Sequence, residues 1–233
     1  KQLGVETRMV QGRRVTDAAA IDATSMVLNG LINTRLLALC REFGIAAVGI
    51  SGVDAGLVKT HRRPPVTLAS GEVVDYGMVG DIDGVDATVI TRLLDAGFLP
   101  VVSPLSADNA GQLLNINADT VASAIGIALE AEKLILCTGA PGILERLEDP
   151  RSLISYTDVA GLRRLREEGA ISEGMLPKSS AIENAIRGGV RRVHVISYSA
   201  PDALLAEIFT NEGKGTLVVA DTKALSAAEQ GAG

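Results

Sequence analysis

The chain has 233 residues and a formal charge of −6, which excludes a general nucleic-acid binder while leaving room for a local basic pocket. Hydrophobic residues make up 47% but aromatic ones only 3%, with no Trp, so the core must be aliphatic, the mix that suits parallel strands buried on both faces. Two cysteines, Cys40 and Cys137, are too few for a disulfide framework and point to a reducing cytoplasm.

No apolar run is read as approaching the roughly 18 residues of a membrane span, and no signal peptide is read. The opening KQLGVE resembles the tail of a helix stopped by Gly4, which implies residues in front of Lys1. TRMV (7–10) is a short strand. A long helix is expected from Thr16 to about Phe43, capped by Thr16-Asp17 and stopped by Gly44, with Ala20, Ile21, Met26, Val27, Leu31, Leu36 and Leu37 at helical spacing. AAVGIS (46–51) reads as a buried strand, and 52–80 as antiparallel excursions forming a surface hairpin. Then come a helix at 83–97, a strand at 99–106, LLNINAD leading into a helix at 118–131, and a strand at 133–139. Helices at 157–169 and 177–189, a strand at 191–197, a helix at 201–210 and a strand at 215–221 complete the pattern, with a frayed tail. Repeated β-α-β units with aliphatic strands predict a mostly parallel sheet covered by helices.

In such sheets ligands gather at the carboxyl ends of strands, so the polar residues that follow each strand are the ones to read. In NINAD, Asn115, Asn117 and Asp119 alternate and would point to one side of an extended segment, where they could fix a small polar substrate. Capping by Asn117 is the plainer reading, but it explains one residue of the three. CTGAPGI (137–143) follows the strongest strand; Gly139 and Gly142 would admit a nucleotide to the backbone, although glycines are common after any strand. FTNEGKGT (209–216) is a glycine-punctuated turn for which a helix stop is explanation enough. Neither G-x-x-x-x-G-K-[ST] nor a post-strand G-x-G-x-x-G is present, so a nucleotide site would be of another kind. In QGRRVTD, Arg13 or Arg14 could hold a carboxylate bidentately, or either could be solvated. His61 and His194 read as exposed or satisfied, Cys137 as core, and no metal cluster is seen. Pro177 suits the first turn of a helix, which sets Lys178 at the end where the dipole repels a cation. That is a solvated lysine, or a lysine that meets an anion together with the free N–H groups.

Taken in order, GRRVTD, AVGISGVDAGL, VVDYGMVGDI, LNINADTVASAIGIAL, AEKLILCTGAPGIL, ISEGMLPK and LLAEIFTNEGKGT resemble the amino acid kinase family, on its acetylglutamate kinase branch, across nearly the whole chain. The resemblance implies an α/β, three-layer αβα sandwich with a mostly parallel central sheet, here without its first strand. Residues 1–116 would form an N-terminal lobe for the acyl-amino-acid substrate and the dimer contact, and 117–233 a C-terminal lobe for nucleotide. The implied activity moves the γ-phosphoryl of ATP, with Mg2+ carried by the nucleotide, to the side-chain carboxylate of N-acetyl-L-glutamate, a step of arginine biosynthesis. By motif, Lys178 is similar to the lysine on the transferring phosphoryl group and Asp119 to the aspartate that organises the catalytic lysines. Arg14 is similar to the arginine on the substrate's α-carboxylate, with Asn115 and Asn117 as substrate-binding residues. The nucleotide-binding segments fall on Gly139, Ala140, Pro141, Gly142, Ile143 and Leu144, and on Ala170, Ile171, Ser172, Gly174 and Met175. A cytoplasmic homodimer or higher homo-oligomer follows, with no metal held by protein ligands and no nucleic-acid or membrane partner. The alternatives are a sister kinase acting on a carrier-linked aminoadipate or glutamate, and a non-catalytic regulatory paralogue. The family opens with a strand bearing a Lys and a Gly-Gly turn, then a second glycine-rich turn. None of this precedes Lys1, which implies a longer protein or a truncated paralogue. Gly139 stands where the family has Asp, and Asp202 where it has His.

Overall fold

The computed structural model describes residues 9–10, 13–68, 70–146, 148–171, 173–210 and 213–224, and of Met9, Arg13, Arg14, Pro150, Glu173 and Ala224 the backbone alone. Contacts divide the chain into two units, Lys1–Leu129 and Glu130–Gly233.

In the first unit, β1 (Met9–Val10) and β2 (Arg13–Arg14) pair antiparallel. Asp17 then starts a helix as expected, its carboxylate accepting from the Ala20 N–H at 2.8 Å. The helix runs through α1 (Ala18–Ser25), a wider π-helical stretch (Met26–Ile32) and α2 (Asn33–Glu42), and Gly44 at φ +70° turns the chain out. The helix spans 25 residues, and an 18-residue window in it reaches a mean hydropathy of 1.2, enough by length and composition to cross a membrane, where the sequence reads as holding no such stretch. Its polar side chains engage a strand instead. Asn33, only 7% exposed, donates to the Val101 carbonyl at 3.1 Å, and Asn29 accepts from the Ser103 hydroxyl. Gly49 makes this approach possible, since a Cβ there would lie 1.9 Å from Asn33 Oδ1.

The unit continues with β3 (Ala47–Ser51), β4 (Val58–Arg62), β5 (Val66–Thr67), β6 (Val73–Val74), β7 (Gly80–Val85), α3 (Thr88–Asp95), β8 (Leu99–Ser103), β9 (Leu105–Ala107), β10 (Leu113–Asn115) and α4 (Ala118–Ala128). β3 pairs in parallel with β8, the strand that receives Asn29 and Asn33. The order β10-β9-β4-β7 forms a second sheet, so of the hairpin expected over 52–80 only β5-β6 is one, while β4 is an inner strand of this sheet with Val58 in the core. The helix expected at 83–97 starts only at Thr88. Residues 80–85 are instead strand β7, antiparallel to β4, and the Asp86 carboxylate takes the Thr88 N–H at 3.1 Å to begin the helix. Leu57, Val58, Ile90, Ile116 and Val121 join this sheet to α3 and α4 in one aliphatic core. Burial of each such side chain contributes about 1.5–3 kcal/mol. The expected lobe boundary at 116/117 lies one helix earlier than the observed division, because α4 packs its Val121 and Ile125 on that core.

The second unit contains β11 (Lys133–Thr138), β12 (Tyr156–Asp158), α5 (Val159–Glu167), α6 (Leu176–Arg187), β13 (Arg192–Ser197), α7 (Ala203–Phe209) and β14 (Thr216–Val219). Its sheet has the order β11-β13-β14-β12, with β11–β13 and β12–β14 parallel and β13–β14 antiparallel. Val193, Val195 and Val218 are fully buried at its centre. The helix expected at 157–169 is preceded by β12 and begins at Val159, under a cap in which the Asp158 carboxylate accepts from the Gly161 N–H at 2.8 Å. The whole is an α/β fold of parallel strand pairs covered by helices, with antiparallel partners in both units.

Candidate functional site

In the first unit the 76–78 segment and the end of β10 meet at Thr16. Its N–H donates to the Tyr76 carbonyl at 2.9 Å, its carbonyl accepts from the Met78 N–H at 2.7 Å, and its hydroxyl accepts from Asn115 Nδ2 at 3.3 Å. Gly77, at φ +74°, is required for this approach, since a Cβ there would lie 2.3 Å from the Thr16 carbonyl oxygen. Asn115, the last residue of β10, is thereby held on both main chain and side chain, with its N–H on the Met78 carbonyl at 2.9 Å.

Asn117 follows as the N-cap of α4, accepting from the Thr120 N–H at 3.1 Å, and Asp119 lies in the first turn. The alternation of Asn115, Asn117 and Asp119 thus ends at the helix start, where Asn117 turns to cap. For Arg14 the described backbone sits in β2 opposite Met9. Around this cluster stand groups the sequence reading left in a plain hairpin. Arg62 donates to the Gly77 carbonyl and to both oxygens of Asp75, the nearer at 2.8 Å, and Arg63 binds Asp81 bidentately beneath the Tyr76 ring. The Gly77 N–H, with Arg62 beside it, holds the Asp75 carboxyl below the usual carboxylate range.

In the second unit, Gly139–Leu144 leave the carboxyl end of β11. Leu144 bridges Leu153, and the Ile143 N–H donates to the Thr216 hydroxyl at 2.8 Å, pinning the segment beside β14. Space above Gly139 is taken by Tyr198, which follows β13; a Cβ at 139 would lie 3.1 Å from its hydroxyl. A side chain at 139 would ask the exposed Tyr198 hydroxyl to give by a few tenths of an ångström.

α5 runs back from β12, whose end lies at the opposite edge of the sheet, and Gly169 at φ +72° ends it. α6 packs on β13 and joins it through the short turn 188–191. Chain direction therefore returns the α5–α6 connection, with Ala170, Ile171, Gly174, Met175 and Lys178, to the edge where β11 and β13 end. Ser172 lies outside the described residues. Pro177 stands in the first turn of α6, and among the described residues no side chain caps the helix, in contrast to α1, α4 and α5. Its first-turn N–H groups and Lys178 face the same end.

A cavity of about 220 Å³ opens elsewhere in this unit, lined by Lys133 and Arg192 at the amino ends of β11 and β13 and by His194, Glu207, Phe209 and Gly213. Within it His194 Nδ1 meets Glu207 Oε1 at 2.7 Å, while His194 Nε2 and Glu207 Oε2 have no hydrogen-bond partner among the described residues. None of the expected site residues lines this cavity. His61, the other histidine, is exposed and meets Asp83 at 2.7 Å. Among the described residues no group of three or more His, Cys, Asp or Glu could hold a metal ion.

A model described as the amino acid kinase family matches residues 1–197. A protein named acetylglutamate kinase from Myxococcus xanthus is 48% identical over 93% of this chain and 72% of its own. Another of that name, from Symbiobacterium thermophilum, is 44% identical over 94% of this chain and 75% of its own. Among solved structures, N-acetylglutamate synthase from Neisseria gonorrhoeae, complexed with coenzyme A and N-acetyl-glutamate, superposes with a TM-score of 0.79. It is 24% identical, a likeness of fold, and the match covers 94% of this chain and 48% of that one.

Proposed function

The chain belongs to the amino acid kinase family, and from that premise we propose that it passes the γ-phosphoryl group of ATP to the side-chain carboxylate of N-acetyl-L-glutamate. The observation that carries this reading is the 48% identity, over 93% of the chain, to a protein named acetylglutamate kinase. When bound, ATP with its Mg2+ supplies the phosphoryl group and part of the charge neutralisation. Phosphoryl transfer then asks the protein mainly for positioning and for cations between two repelling anions.

Lys178, a mobile point charge at an uncapped helix start, meets the phosphoryl group together with the first-turn N–H groups of α6. Gly139–Leu144 and the 170–175 connection hold the nucleotide. Asn115, fixed through Thr16 and Met78, positions the acyl amino acid with Asn117. Arg14 pairs with its α-carboxylate, and Asp119 orients the cations of the site. Replacing Arg14 by Ala should therefore raise KM for the acyl amino acid by about tenfold or more with a smaller change in kcat, and an unchanged KM would remove it from the site.

The chain acts in the cytoplasm as a homodimer or larger homo-oligomer. Its assembly face is the long helix, where Met26, Leu31, Ile32, Leu36, Leu39 and Phe43 are exposed, Phe43 to 74%. Light scattering during gel filtration tests this, and a monomer at micromolar concentration contradicts it. The reaction is tested by coupled ADP release with N-acetyl-L-glutamate against an aminoadipate analogue. Turnover with the first substrate is expected, and turnover with the second alone would move the assignment to a sister kinase.

A further inference from the structure

A carboxylate on α6 has no part in the site described above. Glu183 lies on the buried face of that helix with Ala181, Ile182 and Ala185, and its side chain is only 11% exposed. A buried carboxylate survives only when paired and hydrogen-bonded. Three guanidinium groups meet it. Arg163 donates to Oε1 through Nε at 3.0 Å and through Nη2 at 2.6 Å, Arg166 reaches Oε2 at 3.3 Å, and Arg187 reaches Oε1 at 3.0 Å. Arg163 and Arg166 stand a turn apart on α5, so the carboxylate fastens two helices to each other, while Arg187 closes it from its own helix. Arg166 holds the carboxylate through Nη2, while its buried Nε has no hydrogen-bond partner among the described residues.

What lies between the two fastened helices is the connection 168–175. Directly after Arg166 the chain leaves α5 through Gly169, with the Gly169 N–H on the Arg166 carbonyl at 3.2 Å and the Ala170 N–H on the Leu165 carbonyl at 2.9 Å. It enters α6 through the short turn Glu173–Met175, just ahead of Lys178. Without the carboxylate, three like charges would face one another and push α5 from α6. Both anchors of the connection would then move, and a displacement of about 1 Å in a positioning group can cost about a hundredfold in rate.

We propose that Glu183 is a positioning residue for phosphoryl transfer: by drawing Arg163 and Arg166 of α5 onto α6 it sets the 170–175 segment and Lys178 where the nucleotide needs them. The proposal rests on the reading of Lys178 and of that segment given above.

Four variants of the full chain test it: Glu183→Gln, Glu183→Asp, Arg163→Gln and, as reference, Lys178→Ala. Glu183→Gln is expected to raise KM for ATP and to lower kcat, each by about tenfold or more, with KM for N-acetyl-L-glutamate within about twofold. Hydrogen exchange should quicken in 168–175 while β11 and β13 stay protected. Glu183→Asp, which keeps the charge, should recover much of both parameters. Arg163→Gln, at a half-exposed position where folding is secure, should move the same parameters in the same direction should Glu183→Gln fail to fold. A lower melting temperature with wild-type KM for ATP and wild-type kcat would overturn the proposal. Failure of the underlying reading shows separately, as wild-type turnover in Lys178→Ala whatever the Glu183 variants do.

Discussion

Helices α4 and α6 each carry a proposed catalytic side chain in the first turn, yet they begin in opposite ways. α4 starts under Asn117, whose side chain takes the Thr120 N–H, and sets an acid, Asp119, near the positive end of its dipole. Both choices stabilise the helix without any ligand. α6 starts on Met175 with no side-chain cap and sets Lys178 where the dipole disfavours it. The first start is complete in itself, and the second leaves backbone donors of the first turn without a side-chain cap among the described residues. A helix end that local energetics would not choose marks the chemistry more clearly than one they would.

The contrast is broken most directly at Lys178. Its replacement by Ala should lower kcat by about 100- to 1000-fold with the far-ultraviolet circular dichroism intact, and Lys178→Arg should not restore it, since a planar fork is a poor substitute for a mobile point charge. Turnover near wild type in steady-state assays would reduce Lys178 to a surface residue.

Asp119→Asn should lower kcat by about tenfold while costing the helix only about 0.3–1 kcal/mol of dipole interaction. If Asp119 serves the dipole alone, the stability loss appears in a urea titration without the rate loss.

Smaller still is Asn117→Ala, expected to cost about 1 kcal/mol in the same titration. Asn117→Asp keeps the cap, so stability should return and any remaining rise in KM reports contact with substrate.

The mildest test concerns Asp158, the cap of α5. The Gly161 N–H above all, then Thr222, holds its carboxyl below the usual range against the opposing effect of burial. Its folded pKa is therefore below the unfolded value of about 4. The stability it contributes is complete above that value and is lost as pH falls through the folded pKa. Asp158→Asn should cap almost as well at pH 7 and show a flatter loss of stability below pH ~4, measured by thermal melts across pH.

The starts of α1 and α4 were legible because their signals are local. Asp17 before an apolar run, Gly44 after it and Asn117 before α4 act within a turn of where they stand. Strand β7 was not legible, because what makes residues 80–85 a strand is pairing with β4 some twenty residues away, while the following apolar positions already have helical spacing. The same limit held at the site. Asn115 could be picked out by its motif, but not the Thr16 and Gly77 contact that fixes it, nor Arg62 on Asp75, which the hairpin brings together. Glu183 and its arginines carried no signal in the sequence, since nothing in EN or RR tells which charges the packing will bury.

The most direct measurement is trapping of the product with hydroxylamine. An acyl phosphate formed on N-acetyl-L-glutamate is captured as its hydroxamate, whereas idle ATP hydrolysis yields none. Hydroxamate that accumulates in step with ADP, and only when N-acetyl-L-glutamate is present, is the predicted result. ADP release without hydroxamate, or hydroxamate formed equally well by Lys178→Ala, would contradict it.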